Sequence, residues 1–335
     1  MAAITFGVAS HVADSVFGNS QYPIRKIIED RAEAQEKEAI VPQLFNIENT
    51  THPISKTTSL TAMSGFVPVD ENGAYPNDDM EEGYSKTIEQ NTWKDSFSIT
   101  QEAIEDAVTM DLRKKPSKFV TGYYRTRERF GAQLFGEAIK LSTSFTLNGF
   151  VYPCTTADTK KLFATDHPSK VSGSAQSNYF ADAFSNDALM AAETRMQNFY
   201  GDNDNILTVA PDTIVIPNDY KLKKAVFAAI GSDKDPATAN NGFNYTFGRW
   251  RVIVWAELNR YITAGTSPWM LLDTSYNEEY EGAVWLDRTP LKVSSYIDEG
   301  TDANVWKGRA RFTAAFNDWR FACVGGVAGG TTIVT

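Results

Sequence analysis

Asp166 and His167 set a carboxylate beside an imidazole. General acid–base chemistry uses that pair when the carboxylate orients the ring. Adjacent residues seldom reach the required geometry, because catalytic partners converge from distant segments. A loop-structuring role is therefore expected of both, and an α+β hydrolase using His167 is the enzymatic alternative. That alternative requires a concave pocket holding His167 and a nucleophile within hydrogen-bond reach. The other histidines, His11 and His52, fall in predicted loops, and His52 and His167 both precede proline, which favours extended backbone. Asp202-Asn203-Asp204-Asn205 offers oxygen ligands to a hard cation. No further ligands follow at a recognisable spacing, so a solvated turn after Gly201 is expected. Cys154 and Cys323 lack CxxC spacing and are expected as buried free thiols. Phosphate-loop, dinucleotide, zinc-protease, nucleophile-elbow and calcium-loop patterns are absent. No catalytic residue, cofactor or metal is assigned.

The basic residues are the remaining candidates. Arg113-Lys114-Lys115 and then Arg125, Arg127 and Arg129 form the densest basic region. Nucleic-acid contact would need a groove with stacking aromatics, and Tyr123, Tyr124 and Phe130 lie nearby. Those rings fit a helix stripe better, which leaves the arginines for ion pairs with acidic groups on another subunit. Lys307, Arg309 and Arg311 alternate with Trp306, Ala310, Phe312 and Ala314, with Gly308 in the apolar register. Period two puts the apolar set on a core face and the basic set on the other. Arg125, Arg127, Arg129, Lys307, Arg309 and Arg311 are thus the inter-subunit contact candidates. The formal net charge of -10 argues against a dedicated nucleic-acid binder, which needs a basic surface. No apolar run is long enough for a bilayer, so no membrane partner is expected. Residues 1–20 lack the pattern of a secretory signal, and cytoplasmic synthesis is the expectation.

The elements that position these residues read as α+β. Residues 22–40 are charge-rich and helix-prone, with a narrow stripe of Ile24, Ile27 and Ile28 that makes little core of its own. It is either a solvated surface helix or an arm ordered against another subunit. Residues 50–97 read as a long two-stranded excursion with an acidic tip, marginal by itself. Ser98 to Gln101 has capping-box spacing for a short helix. A long helix is expected over residues 117–145, with Gly122, Gly131 and Gly136 inside it. Ser185 caps a helix ending at Gly201, residues 213–216 form a buried strand, and a helix follows from Pro217-Asn218 with Leu222, Ala225, Val226, Ala229 and Ile230 inward. Residues 249–258, 270–272, 283–293 and 306–314 read as strands.

The run Leu162-Phe163-Ala164-Thr165-Asp166-His167-Pro168, followed by a helix, a strand ending Val215-Ile216-Pro217 and a second helix, resembles the tailed-phage major capsid proteins, in particular the Mu-like major head subunit. Trp269-Met270-Leu271-Leu272-Asp273, Val284 to Arg288 and Trp306 to Phe312 also look family-like. The resemblance implies the capsid fold shared by tailed phages and herpesviruses. Residues 1–50 would be an N-terminal arm, 51–97 an extended β-loop, and 98–201 a peripheral domain with the spine helix at 117–145. Residues 202–281 would be a mixed α/β axial domain, 282–316 the long peripheral strands, and 317–335 strands returning to the axial domain. It implies a non-enzymatic head protein self-assembling into pentamers and hexamers of an icosahedral shell around double-stranded DNA. Assembly would occur in the host bacterial cytoplasm, with DNA touched only non-specifically. A separate scaffolding protein, or a cleavage already completed, a portal and decoration proteins are the implied partners. A portal or tail protein is the other virion alternative. Some members cross-link a loop lysine to a neighbour, but no motif aligns Lys56 or Lys86 with it, and that chemistry is not carried over.

Overall fold

The computed structural model describes residues 5–6, 18–60, 66–71, 73–75, 77, 82–106, 114–170, 173–202, 205–231 and 244–334. The helices are α1 (Gly18–Glu38), α2 (Val41–Leu44), α3 (Gln101–Glu105), α4 (Lys115–Ile139), α5 (Asn186–Gln197), α6 (Tyr220–Ile230) and α7 (Thr274–Glu279). The strands begin with β1 (Thr5–Phe6), β2 (Asn46–Asn49), β3 (Ile54–Leu60), β4 (Glu82–Glu89) and β5 (Asn91–Ile99). Next come β6 (Ser144–Leu147), β7 (Phe150–Pro153), β8 (His167–Pro168), β9 (Ala175–Gln176), β10 (Thr213–Pro217) and β11 (Arg251–Trp255). The last are β12 (Trp269–Leu272), β13 (Ala283–Asp298), β14 (Ala303–Phe316) and β15 (Ala322–Gly325). No described helix is long and apolar enough to cross a membrane.

Two compact units form. The first draws on residues 1–55, 88–131 and 285–314. Its sheet runs β1-β13-β14-β5, with β2 also on β13. Alternation decides which face of this sheet is buried. Ile99, Leu291, Val293 and Trp306 point inward and meet Phe119, Val120 and Tyr124 of α4. Ile24, Ile28 and Ala32 of α1 join the same core at four-residue steps. The helix expected as a surface or arm element is therefore packed in its own unit; the stripe continues to Ala32, a residue too small to read as core beforehand. Gly308 keeps the inward register without a side chain because a Cβ there would lie 2.5 Å from the Phe119 ring.

The second unit draws on residues 56–87, 132–284 and 315–335. Its sheet runs β11-β10-β12-β15. β10 is parallel to β11 and antiparallel to β12, which is antiparallel to β15. Every residue of β10, β12 and β15 is buried, as continuous apolar runs require. Ser185 caps α5 as expected, accepting from Ala188 N–H at 3.0 Å. α6 starts at Tyr220, after Asp219 as its cap, and Ala225, expected inward, faces outward. β11 stops at Trp255 and a 3-10 helix follows over Ala256–Arg260.

Three boundaries differ from expectation for local reasons. The excursion is β3 paired with β4, but it ends at Gln90. β5 belongs to the large sheet, because Trp93 and Phe97 stack there on Phe312 and Trp306. Thr100, not Ser98, caps α3 by accepting from Ala103 N–H at 3.3 Å, since Ser98 is taken into β5 opposite Val305. The spine helix α4 ends at Ile139. Ser142 N–H reaches back to Glu137 O and Leu141 N–H to Ala138 O, with Leu141 at φ 60. That double return closes a helix. Phe145 then stacks on Tyr152 across the β6–β7 hairpin. At 25 residues the helix spans about 38 Å.

Within the second unit, Lys86 on β4 is buried and donates to Thr155 O and, at 2.9 Å, to Phe316 O. Burial lowers its ammonium to about 8, against the opposing pull of Cys154 and Asp158. A buried Lys86 is not placed to reach another subunit. Between about 8 and the ordinary value of ~10.4 the unfolded chain binds a proton that the folded chain has released. Stability therefore rises with pH across that window. Urea unfolding from pH 7.5 to 10 reads the Lys86 share as a difference: the native chain should gain on the order of 2 kcal/mol relative to Lys86→Met, since the opposite trend from the buried Cys154 and Cys323 thiols is common to both.

The spine glycines are separable by the same measurement. A Cβ at Gly122 would meet nothing within 4 Å, whereas one at Gly136 would lie 2.4 Å from the Tyr261 Cβ. Gly122→Ala should stabilise the chain by about 1 kcal/mol. Gly136→Ala gains the same propensity but forces packed groups apart, and should destabilise by roughly 1–3 kcal/mol.

Candidate functional site

His167 is fully buried, contrary to its place in a predicted loop. Its Nδ1 lies 2.7 Å from Asp158 Oδ2, its Nε2 lies 3.3 Å from Leu162 O, and its ring stacks on Trp319 at 4.3 Å. With both nitrogens facing oxygen acceptors, neither is available to take a proton from a nucleophile. Its carboxylate partner is Asp158, nine residues upstream, while Asp166 pairs with Lys160. Burial opposes the Asp158 charge, yet the His167 hydrogen bond and charge, with Thr156 and the Lys160 N–H, hold its carboxyl below the usual range. The hydrolase alternative is not supported.

The surrounding motif works as a clasp. Leu162 and Phe163 are fully buried. The Asn178 amide donates to Leu162 O, Trp319 O and Ala322 O and accepts from Ala164 N–H. Asn178 has no motif of its own, and only its fully buried position shows its role. Asp202 accepts from Arg320 at 3.1 Å and from Lys170 N–H at 3.2 Å. The expected turn at residues 203–204, like His11 and Arg113, lies outside the described residues. Cys154 and Cys323 are buried thiols, each pushed up to about 12 by burial.

The six contact candidates separate into two groups. Arg127 finds its carboxylate within its own chain. It donates to Asp287 Oδ1 and Oδ2 at 2.8 and 2.9 Å and to the Tyr123 hydroxyl at 3.1 Å, with Trp285 and Phe312 4.7 and 5.2 Å from its carbon centre. Spaced two residues either side of it on α4, Arg125 and Arg129 are exposed. On β14, Lys307 and Arg309 are exposed and Arg311 is half-buried. Strand register widens this basic face: Arg309 sits opposite Lys94 and Lys307 opposite Ser96 on β5. Lys292 and Tyr296 of β13 line the same concavity of about 740 Å³ with Lys94, Lys307 and Arg309. The Lys307 ammonium lies 4.9 Å from the Tyr296 ring centre. Lys94 and Lys292 were not singled out in the sequence because their neighbours on the face are distant along the chain.

A second surface is apolar. Phe66 and Tyr75, between β3 and β4, are as exposed as in an extended peptide, at 109% and 99%, and Val67 and Val69 are more than half exposed. Large apolar groups gathered outside any core are a contact signature.

Residues 83–325 match a family model described as phage capsid protein. No curated protein sequence matches the chain. Among solved structures, the fold is similar to a chain of the procapsid of bacteriophage JBD30, with TM-score 0.51 and 11% identity over 93% of this chain and 75% of that one. It is also similar to a chain of Mycobacterium phage Patience, with TM-score 0.51 and 10% identity over 100% and 95%. A third likeness is to a chain of the mature capsid of bacteriophage PhiM1, with TM-score 0.51 and 8% identity over 86% of each. At these identities the structural likeness is one of fold, the α+β tailed-phage capsid fold. The family match spans the clasp, the spine helix and both long strands, and the chain belongs to the phage capsid protein family.

Proposed function

We propose that copies of this chain assemble into the pentamers and hexamers of an icosahedral shell enclosing double-stranded DNA. The loop carried by β3 and β4 of one copy would lie on the basic strand face of the next. The observation that carries this reading is the exposed Phe66-Val67-Val69-Tyr75 set. No core covers it among the described residues, and assembly is what can supply one. The same loop holds Asp70, Glu71, Asp78, Asp79, Glu81 and Glu82 and no lysine or arginine between residues 66 and 83. Its charge complements Lys94, Lys292, Lys307 and Arg309. Two different patches that fit each other make a heterologous contact, the kind that closes into rings. Arg125 and Arg129, exposed on α4, serve as further ion-pair donors to a neighbour. A net charge of -10 suits a wall that touches packaged DNA only weakly and non-specifically. A separate scaffolding protein, a portal and decoration proteins complete the partners, and the shell forms in the host bacterial cytoplasm.

Negative-stain electron microscopy of the expressed chain, alone and with a scaffolding protein, tests the reading. Rings of five and six or closed shells are expected. Monomers or dimers alone, at high concentration under both conditions, would overturn it. Lys307→Glu with Arg309→Glu should abolish particles while leaving the melting temperature of the unassembled chain within a few degrees, because both side chains are exposed. Asp70→Lys with Glu71→Lys in the same chain should restore assembly if these two patches meet. Phe66→Ser with Tyr75→Ser should also block assembly without lowering stability.

A further inference from the structure

The second unit contains a cavity of about 480 Å³ whose wall is unlike the basic face described above. Asp158, Asp202, Glu279, Glu281 and Asp318 line it against one cation, Arg320. Arg320 is spent on Asp202 and Asp318 and on Tyr200 O, and Asp158 on His167. Glu279 and Glu281 make no ion pair among the described residues. Both line the cavity, and a further cation nearby is Lys170, whose ammonium lies 4.9 Å from the ring centre of Tyr84 in the same wall.

Asn317 gives the independent observation. It is only 8% exposed and lines the cavity. Its backbone is clamped on both sides, N–H to Gly282 O at 2.7 Å and C=O from Ala157 N–H at 2.9 Å. Yet neither its Oδ1 nor its Nδ2 has a partner among the described residues. The Oδ1 of this fixed, buried amide is an acceptor that a donor-bearing group can complete, while its Nδ2 is a donor suited to a carboxylate or water in the same cavity. Aromatic rings supply another part of the wall. Tyr276 and Tyr280 stack at 4.4 Å, and the Tyr276 hydroxyl donates to Asp318 Oδ2 at 3.1 Å. Burial first, then the nearby carboxylates, pushes the hydroxyls of Tyr84, Tyr276 and Tyr280 up.

We propose that this cavity is a binding site for a guanidinium cation. The carboxylates are not grouped as metal ligands among the described residues. A planar group with donors in several directions fits them better than a compact ammonium does. Its edges can donate to Glu279, Glu281 and Asn317 Oδ1, and its face can lie on the tyrosines. The group could be an arginine side chain of a second copy or a free small cation of the same chemistry, and the measurement below separates the two.

The test is calorimetric titration of L-arginine methyl ester into the unassembled chain, with the citrulline ester as the uncharged isostere and the lysine ester as the ammonium. One saturable site per chain is expected for arginine, with citrulline bound at least about tenfold more weakly. Glu279→Gln with Glu281→Gln, both at the rim, should weaken arginine about tenfold or more. Asn317→Leu should do the same, and if that variant fails to fold the rim pair carries the test. No saturable binding, or binding equal for citrulline or unmoved by the rim variant, overturns the proposal. Assembled particles then identify the source. A site closed to the ester in particles but open in the free chain assigns the cation to a neighbouring copy. Equal binding in both assigns it to a free small cation. The titration does not depend on the ring arrangement proposed above, so either reading can fail alone.

Discussion

Arg127 donates to both oxygens of Asp287 inside a box of Trp285, Phe312 and Tyr123. The Arg127 side chain is 12% exposed and that of Asp287 3%, so each charge relies on the other in place of water. Removing one partner from such a pair costs about 3–5 kcal/mol, because the remaining charge stays buried. The same carboxylate accepts from Trp285 Nε1, and the Asp287 carbonyl accepts from Thr50 N–H. One residue thereby ties α4, β13 and the segment after β2. The first unit thus adds a buried charge pair to its apolar core. That is also why a basic residue at the centre of the densest arginine run is not a surface group.

The second unit also pairs buried charges, Arg320 with Asp202 and Asp318, and adds a neutral amide and an imidazole. Asn178 binds three carbonyls from two distant segments, while His167 joins Asp158 to the ring of Trp319. Loop backbone at this depth must find partners for its polar groups. The Leu-Phe-x-Thr-x-His-Pro run is specific because its residues meet that requirement, and a histidine that looks catalytic in sequence is part of the packing. Asn317, beside Glu279 and Glu281, is one of several buried side chains whose polar atoms lack a partner among the described residues, and it differs from the others in lining a carboxylate-rich cavity.

Surface chemistry is divided along the same lines. The strand face of the first unit is basic, and the loop between β3 and β4 is acidic with an exposed apolar tip. A chain of net charge -10 gathers its cations where strand register aligns them. Such separation costs little in the monomer, since exposed like charges are well screened, and it becomes specific only when a partner surface is brought close.

Period and composition alone determined much of the architecture. The alternation from Trp306 to Ala314, the cap at Ser185, the apolar run at β10 and the paired excursion after residue 50 are local properties, and local properties survive in a linear reading. The short motif was enough to suggest the family, and the family match bears that out. The remaining assignments depend on residues far apart in the chain. Arg127 could be assigned to the interior only once Asp287, 160 positions away, was in place. Lys94 and Lys292 joined the basic face through strand register, and Asp158 replaced Asp166 because the chain folds back across nine residues. Periodicity tells which way a side chain points; it carries no information on which distant group meets it, and charge and hydrogen-bond partners are set by that meeting.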